Sequence, residues 1–363
     1  MAPMKISVQR VGTIALLAVL GPAGIMLNMI VMIAILRKKQ LHTSTYMLYF
    51  HLAVCDFLTA LFGSTMGISI YTTGDFIFCQ CVAVMIVLFY VISIGNVALI
   101  AYDRFVYLSS PLLYLVKVTK TRVLGLLACI WLVSICNLVP VLWIRKMFVF
   151  NETVDLKLSQ RNCIISRVLT REFLLWTVVA LTILPTLVAA ILNIRIYHLA
   201  SLHHKKIQKT TISWQRTQNV VKKNAHDDGT SPSNTINKRQ INKKAVRTTM
   251  SIVVTHLICT MPYLTVIIIE ASCDHCIPYK QIKQAYSLFL LNYLTTVLNP
   301  LIYTLTNAEL RREIKIMLRL CRHKSKVVLS ETSTSAARSR SGTETSSTSK
   351  PGGLGSKKSI SAA

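Results

Sequence analysis

The chain has 363 residues, 52% of them hydrophobic and only 15% charged, and its mean hydropathy is +0.50. A soluble domain carries about a quarter charged residues, so much of this chain does not face water. The net charge of +27 would suit nucleic acid if the bases shared one face, but Lys and Arg fall between and after long apolar runs, which argues against that partner.

Seven apolar runs approach or exceed the ~20 residues a helix needs to cross a bilayer. They cover about 12–36, 46–71, 79–108, 123–144, 172–199, 246–270 and 282–305. Backbone groups in lipid must bond internally, so each run is expected to be a helix. The expected fold is an all-α membrane protein: a seven-transmembrane bundle over 12–320, preceded by a short tail, 1–11, and followed by a disordered tail, 321–363. Basic residues crowd alternate loops: Arg37, Lys38 and Lys39, then Lys117, Lys120 and Arg122, then 200–245, then everything after Arg311. The other loops hold Asp75, Glu152, Asp155 and Asp274. The positive-inside rule then sets the N-terminus outside the cell membrane and the C-terminus in the cytosol. The first run lacks a small-residue cleavage site and reads as an uncleaved span.

An ionisable side chain within a span is costly and marks function by default. Asp56 lies midway along the second span, in "HLAVCDF". Its expected neighbours are Asn28 from the first span, Ser93 from the third, and Thr296 and Asn299 from the seventh. One carboxylate and several neutral oxygens suit a sodium ion or a shared proton; the alternative is a polar cluster that clips helices together. His51 and His256 lack a second ligand at metal spacing, so no other metal is expected.

The third span ends in Asp103-Arg104, followed by Pro111 and the apolar Leu112 and Leu113. An Arg paired to the adjacent acid is restrained until a cytosolic partner competes for it. Exposed leucines beside a releasable Arg look like a docking site. Cys79 opens the third span and Cys163 lies in the following outer loop, where a bridge is chemically reasonable; Cys81 competes for Cys163 on spacing alone. Cys273 and Cys276 form a second candidate pair in an outer loop. Cys55, Cys129, Cys136 and Cys259 read as reduced apolar fillers. Asn151, in "NET", is a glycosylation sequon.

The loop 200–245 is polar and basic, expected to be disordered in its middle and helical at its ends. After the seventh span, "NAELRREIKIMLRLC" has Leu310, Ile314, Met317 and Leu318 on one face and bases on the others. That predicts an amphipathic helix over 309–320 on the membrane surface, with Cys321 placed for palmitoylation. The Ser/Thr-rich tail is a kinase substrate by composition.

On these motifs the chain resembles a rhodopsin-like (class A) G protein-coupled receptor through roughly residues 12–320. Asn28 and "LAVCD" with Asp56 match the first two spans, Cys79 and Cys163 the family disulfide, and "DRF" at 103–105 the Asp-Arg-Tyr motif. Trp131, Pro185 and "NPLIY" at 299–303 match the fourth, fifth and seventh spans. The resemblance implies that Asp103 and Arg104 form an inner ionic switch, that Tyr303 moves inward on activation, and that Arg104 and Leu112 contact a heterotrimeric G protein. It also implies a receptor kinase and arrestin acting at tail sites such as Ser346, Ser347 and Thr348. The chain departs from the pattern at Thr260 and His256, where the family has Trp and Phe. Asn193 stands for a fifth-span Tyr, and Asn242 for the acid that often holds the switch Arg.

Ile86 stands where amine receptors carry an Asp, and Tyr293 where opsins carry a retinal-binding Lys, so the expectation is a non-aminergic, non-opsin receptor. The expected ligand pocket is Ile86, Tyr90, Thr177, Tyr263, Phe289 and Tyr293, apolar and aromatic with a few hydroxyls. It fits a small neutral or weakly polar ligand, with a short peptide reaching Glu172, Glu270 and Lys283 as the other reading. A channel or transporter, or a chemosensory receptor of the same fold, are the competing functions. No catalytic set is found and no cofactor beyond sodium is implied.

Overall fold

A computed structural model describes residues 8–73, 76–143, 169–222, 233–273 and 288–320. Its long helices are α1 (Val8–Arg37), α2 (Ser44–Thr73), α3 (Phe76–Ser109) and α4 (Lys120–Trp143). They continue with α5, α6 (Ser233–Ser272) and α7 (Phe289–Thr306). Three pieces make α5: Arg171–Trp176, a π-helical stretch Thr177–Ile183, and Leu184–Lys222. Six of these helices are long and apolar enough to cross a membrane. The six do not include α7, of which 18 residues are described; the expected start of its span, 282–287, lies outside the described residues.

The helix ends follow from local chemistry. At the end of α1, Nε2 of His42 lies 3.1 Å from the Ile35 carbonyl and 3.2 Å from that of Leu36, meeting carbonyls that a helix terminus leaves without partners. A further helix covers 308–320; Asn307 Oδ1 caps it by accepting from the backbone N–H of Glu309 and Leu310 at 3.1 and 3.2 Å. Met1–Ile314 is one compact unit, and of a second, Lys315–Ala363, only 315–320 is described. The expected loop at 200–245 is mostly extension of α5 and α6, with 223–232 outside the described residues.

The bundle turns apolar groups outward and polar groups inward, as a lipid solvent demands. Val19, Leu132 and Ile258 are each more than 60% exposed, whereas Asn28, Asn96 and Thr260 are fully buried. Close approach of α1 to α2 and α7 depends on two glycines. A Cβ on Gly21 would collide with the Ser64 side chain, and one on Gly24 would lie 3.0 Å from both Ala60 Cβ and Thr296 Oγ1. Helix α3 is central, packing against α2, α4, α5 and α6. The π-helical stretch of α5 directly precedes Pro185, whose missing N–H removes one rung of the helical ladder. There Thr182 donates its hydroxyl to the Thr177 carbonyl five residues back, at 3.3 Å.

Candidate functional site

Four helices enclose a cavity of about 30 Å³ at the centre of the bundle. Asp56 comes from α2, Ile86, Tyr90 and Ser93 from α3, His256 from α6, and Phe289, Asn292, Tyr293, Thr296 and Asn299 from α7. One water needs roughly 10–15 Å³, so the space suits an ion with water rather than a drug-sized molecule. Asn299 Nδ2 donates to Asp56 Oδ2 at 3.0 Å. Its Oδ1, the Tyr90 hydroxyl oxygen and His256 Nε2 are buried with no hydrogen-bond partner. A carboxylate and unpartnered oxygens lining one cavity are donors of the kind a hard cation takes. Among the described residues no three His, Cys, Asp or Glu side chains cluster as a metal site.

The structure merges residues that the sequence assigns to two sites. Ile86, Tyr90, Phe289 and Tyr293, expected to hold ligand, line the same cavity as Asp56, Ser93, Thr296 and Asn299. Two expected ligand residues do not line it. Thr177 is turned to α4, where Asn137 Nδ2 donates to its hydroxyl at 3.2 Å. Tyr263 belongs to an apolar cluster with Val84, Phe173 and Leu264, its ring edge-on to Phe289 at 5.6 Å. Spacing along a helix does not tell which neighbour a side chain will meet; Ile86, Tyr90 and Phe289 of the cavity wall pack against the cluster that holds Tyr263.

Asn28 joins α1 to α7 rather than lining the cavity. Pro300 has no N–H for the carbonyl four residues back, that of Thr296. Asn28 Nδ2 takes that carbonyl at 2.8 Å and the Gly24 carbonyl at 2.8 Å. Its Oδ1 accepts from the Tyr303 hydroxyl at 3.3 Å, and the Tyr303 ring stacks on Tyr49 at 5.4 Å. One side chain thus repairs the proline break and restrains Tyr303.

At the other end of α3, Asp103 is almost wholly buried and has three partners. Arg104 Nη2 lies 3.2 Å away, Tyr114 donates its hydroxyl at 2.7 Å, and Thr45 donates at 2.9 Å. Tyr114 sits on a single helical turn, Tyr114–Lys117, just beyond Pro111. Burial, then the adjacent Asp103 charge, holds its phenol well above the ordinary range, so it remains a donor. Arg104 lies over the Tyr107 ring at 5.8 Å, and its Nε has no partner. No acid occurs on α6 before Glu270. In place of a charged tie, Thr248 of α6 donates its hydroxyl to Thr306 of α7 at 2.7 Å, and Thr306 donates onward to the Ile302 carbonyl at 2.6 Å. Leu112 is 95% exposed beside this cluster.

Sequence reasoning passed over Thr45, Tyr114, Thr248 and Thr306, because a hydroxyl on a span has no distinctive pattern until its partner is known. His51 accepts from Trp131 Nε1 at 2.7 Å, the role of a core histidine. Cys55 and Cys259 are buried thiols, but Cys129 and Cys136, expected as fillers, are exposed on α4. Cys81 is free. Cys273 is disulfide-bonded. Cys276, Cys163, Asn151, Cys321 and the tail serines lie outside the described residues, as does the side chain of Cys79.

The family model of the 7 transmembrane receptor (rhodopsin family) matches residues 27–303, and the chain belongs to that family. It is a multi-pass membrane protein. The chain is 25% identical over 316 residues to the mouse alpha-1A adrenergic receptor, covering 82% of this chain and 65% of that one. It is 26% identical to the Drosophila melanogaster octopamine receptor beta-1R, covering 85% and 60%. With the mouse 5-hydroxytryptamine receptor 1D the identity is 24%, covering 85% and 90%. The chain thus spans less than two thirds of the first two relatives.

Proposed function

We propose that this protein is a G protein-coupled receptor that takes an extracellular ligand within the helix bundle and activates a cytosolic heterotrimeric G protein. The observation that carries the reading is the inner end of α3. Asp103 holds Arg104 through a single ion pair, and the fully exposed Leu112 stands beside it. A partner that draws Arg104 away from Asp103 and buries Leu112 would stabilise a different arrangement of the bundle, and by linkage a ligand that favours that arrangement would favour the partner. The basic loops orient this end toward the cytosol. Asp56, with Asn299, Ser93 and Thr296, holds a sodium ion in the resting state.

The ligand we infer is a small neutral or weakly polar molecule. The relatives named above are amine receptors by name, but α3 carries no acid between Cys81 and Asp103, so an ammonium has no carboxylate there. Ile86, Tyr90, Phe289 and Tyr293 offer apolar and aromatic surface instead, and admitting the molecule requires the bundle to widen beyond its present cavity of about 30 Å³. Cys79–Cys163 and Cys273–Cys276 bridges, a glycan on Asn151, a palmitoyl group on Cys321, and a receptor kinase and arrestin acting on the tail complete the proposal.

The test is cAMP, calcium and inositol phosphate in cells expressing the chain or Arg104→Ala, with and without a panel of neutral metabolites, octopamine and 5-hydroxytryptamine. The expected result is a response in one pathway to a neutral compound, lost in Arg104→Ala at equal surface expression. A response retained in Arg104→Ala overturns the switch, and an amine response overturns the ligand class.

A further inference from the structure

A second cleft opens between α4 and the start of α5, on the outside of the bundle. Its volume is about 600 Å³, twentyfold that of the central cavity and within the range of ligand sites. Val133, Cys136 and Asn137 form one wall, and Glu172, Trp176 and Leu181 stand on the other. Val133 and Trp176 are at least half exposed, so in a bilayer this cleft faces lipid.

The polar groups of the wall are few and unequal. Asn137 is satisfied by Thr177 across the helix gap. Glu172 is exposed on the first turn of its helix. Its neighbour Arg171 is turned away, donating to the Ser272 carbonyl at 2.6 Å. The first turn of a helix favours an acid, which accounts for a Glu at this position but supplies no counter-cation. Trp176, one turn further on, is the residue type that settles at a membrane interface. From Glu172 to Leu181 the wall runs about 13 Å at 1.5 Å per residue. The cleft therefore has a carboxylate at its mouth and apolar surface along its length.

We propose that this cleft is a binding site for a membrane lipid with a protonated amine head and a single apolar chain. The ammonium pairs with Glu172 at the interface, and the chain lies between Val133 and Leu181. This rests on the membrane-spanning reading of the bundle and is independent of G protein coupling and of the central ligand.

Two thiols on α4 make the test internal. Cys136 lines the cleft; Cys129 is exposed and free on the same helix but does not line it. The full chain in phosphatidylcholine nanodiscs is labelled with a membrane-permeant maleimide, and the two sites are followed separately by peptide mass spectrometry. Oleylamine is expected to slow labelling of Cys136 at least threefold while leaving Cys129 unchanged. Oleyl alcohol at the same mole fraction is expected to protect much less. Glu172→Gln should abolish the amine's protection while keeping the unprotected rates of both thiols, which shows that the variant is folded. Equal protection of Cys129 and Cys136 would mean partition into the bilayer and overturn the site. So would protection by the alcohol as strong as that by the amine, protection that survives in Glu172→Gln, or no protection at all.

Discussion

Deleting the hydroxyl of Thr248 should raise the basal activity of this receptor. The inner half of α6 has no acid to hold Arg104, so its tie to the bundle includes the 2.7 Å bond from Thr248 to Thr306. Thr248→Val keeps the shape and removes the donor. Thr306 still donates to Ile302, so the tie lost between α6 and α7 is one neutral hydrogen bond, about 0.5–1.5 kcal/mol. If that bond breaks when α6 moves, the ratio of active to resting receptor rises about 2- to 12-fold, at 1.4 kcal/mol per factor of ten. The assay is guanine nucleotide exchange on purified G protein by membranes with matched receptor content and no ligand. Thr306→Val should act alike, and the double variant should add little, since both remove the same bond. An unchanged exchange rate in both single variants, or fully additive effects, would refute the clasp.

Asn28→Leu should cost about 2–4 kcal/mol, because it orphans the Thr296 carbonyl and leaves the Tyr303 hydroxyl without its acceptor; a lowered thermal unfolding temperature in detergent checks this. Asp56→Asn should abolish stabilisation by sodium, read as the difference in unfolding temperature between sodium chloride and choline chloride at equal ionic strength. Gly21→Leu should prevent surface expression, since even a Cβ there meets Ser64, whereas Gly12→Leu, with nothing within 4 Å, should be neutral.

How far the site was legible varied with the kind of signal. Asp56 and the Asp103–Arg104 pair stood out because a charge in an apolar run is expensive and therefore conspicuous. Asn299 was legible beside a proline in a recognisable motif, and the structure sets it 3.0 Å from Asp56. Tyr114 was not, although it makes the shortest bond to Asp103. It lies eleven residues away, beyond a proline turn, and nothing in its own neighbourhood marks it. Thr177 and Tyr263 have residue types that suit a pocket, but which neighbour each would meet was not legible: Thr177 meets Asn137, and Tyr263 sits in an apolar cluster against which Ile86, Tyr90 and Phe289 pack.

Composition and hydropathy alone determined that the chain is a bundle of membrane helices, because the absence of water in lipid leaves a long apolar segment no other way to satisfy its backbone. The order of motifs along those helices determined the family. Only the tertiary structure decided that the Asp56 site and most of the expected ligand wall share one small cavity, that Asn28 repairs the break at Pro300, and that a threonine pair joins α6 to α7. Each of these depends on the rotation of helices far apart in sequence, 268 residues in the case of Asn28 and Thr296. That rotation is set by packing of small residues and polar contacts across the whole bundle, which no local pattern encodes.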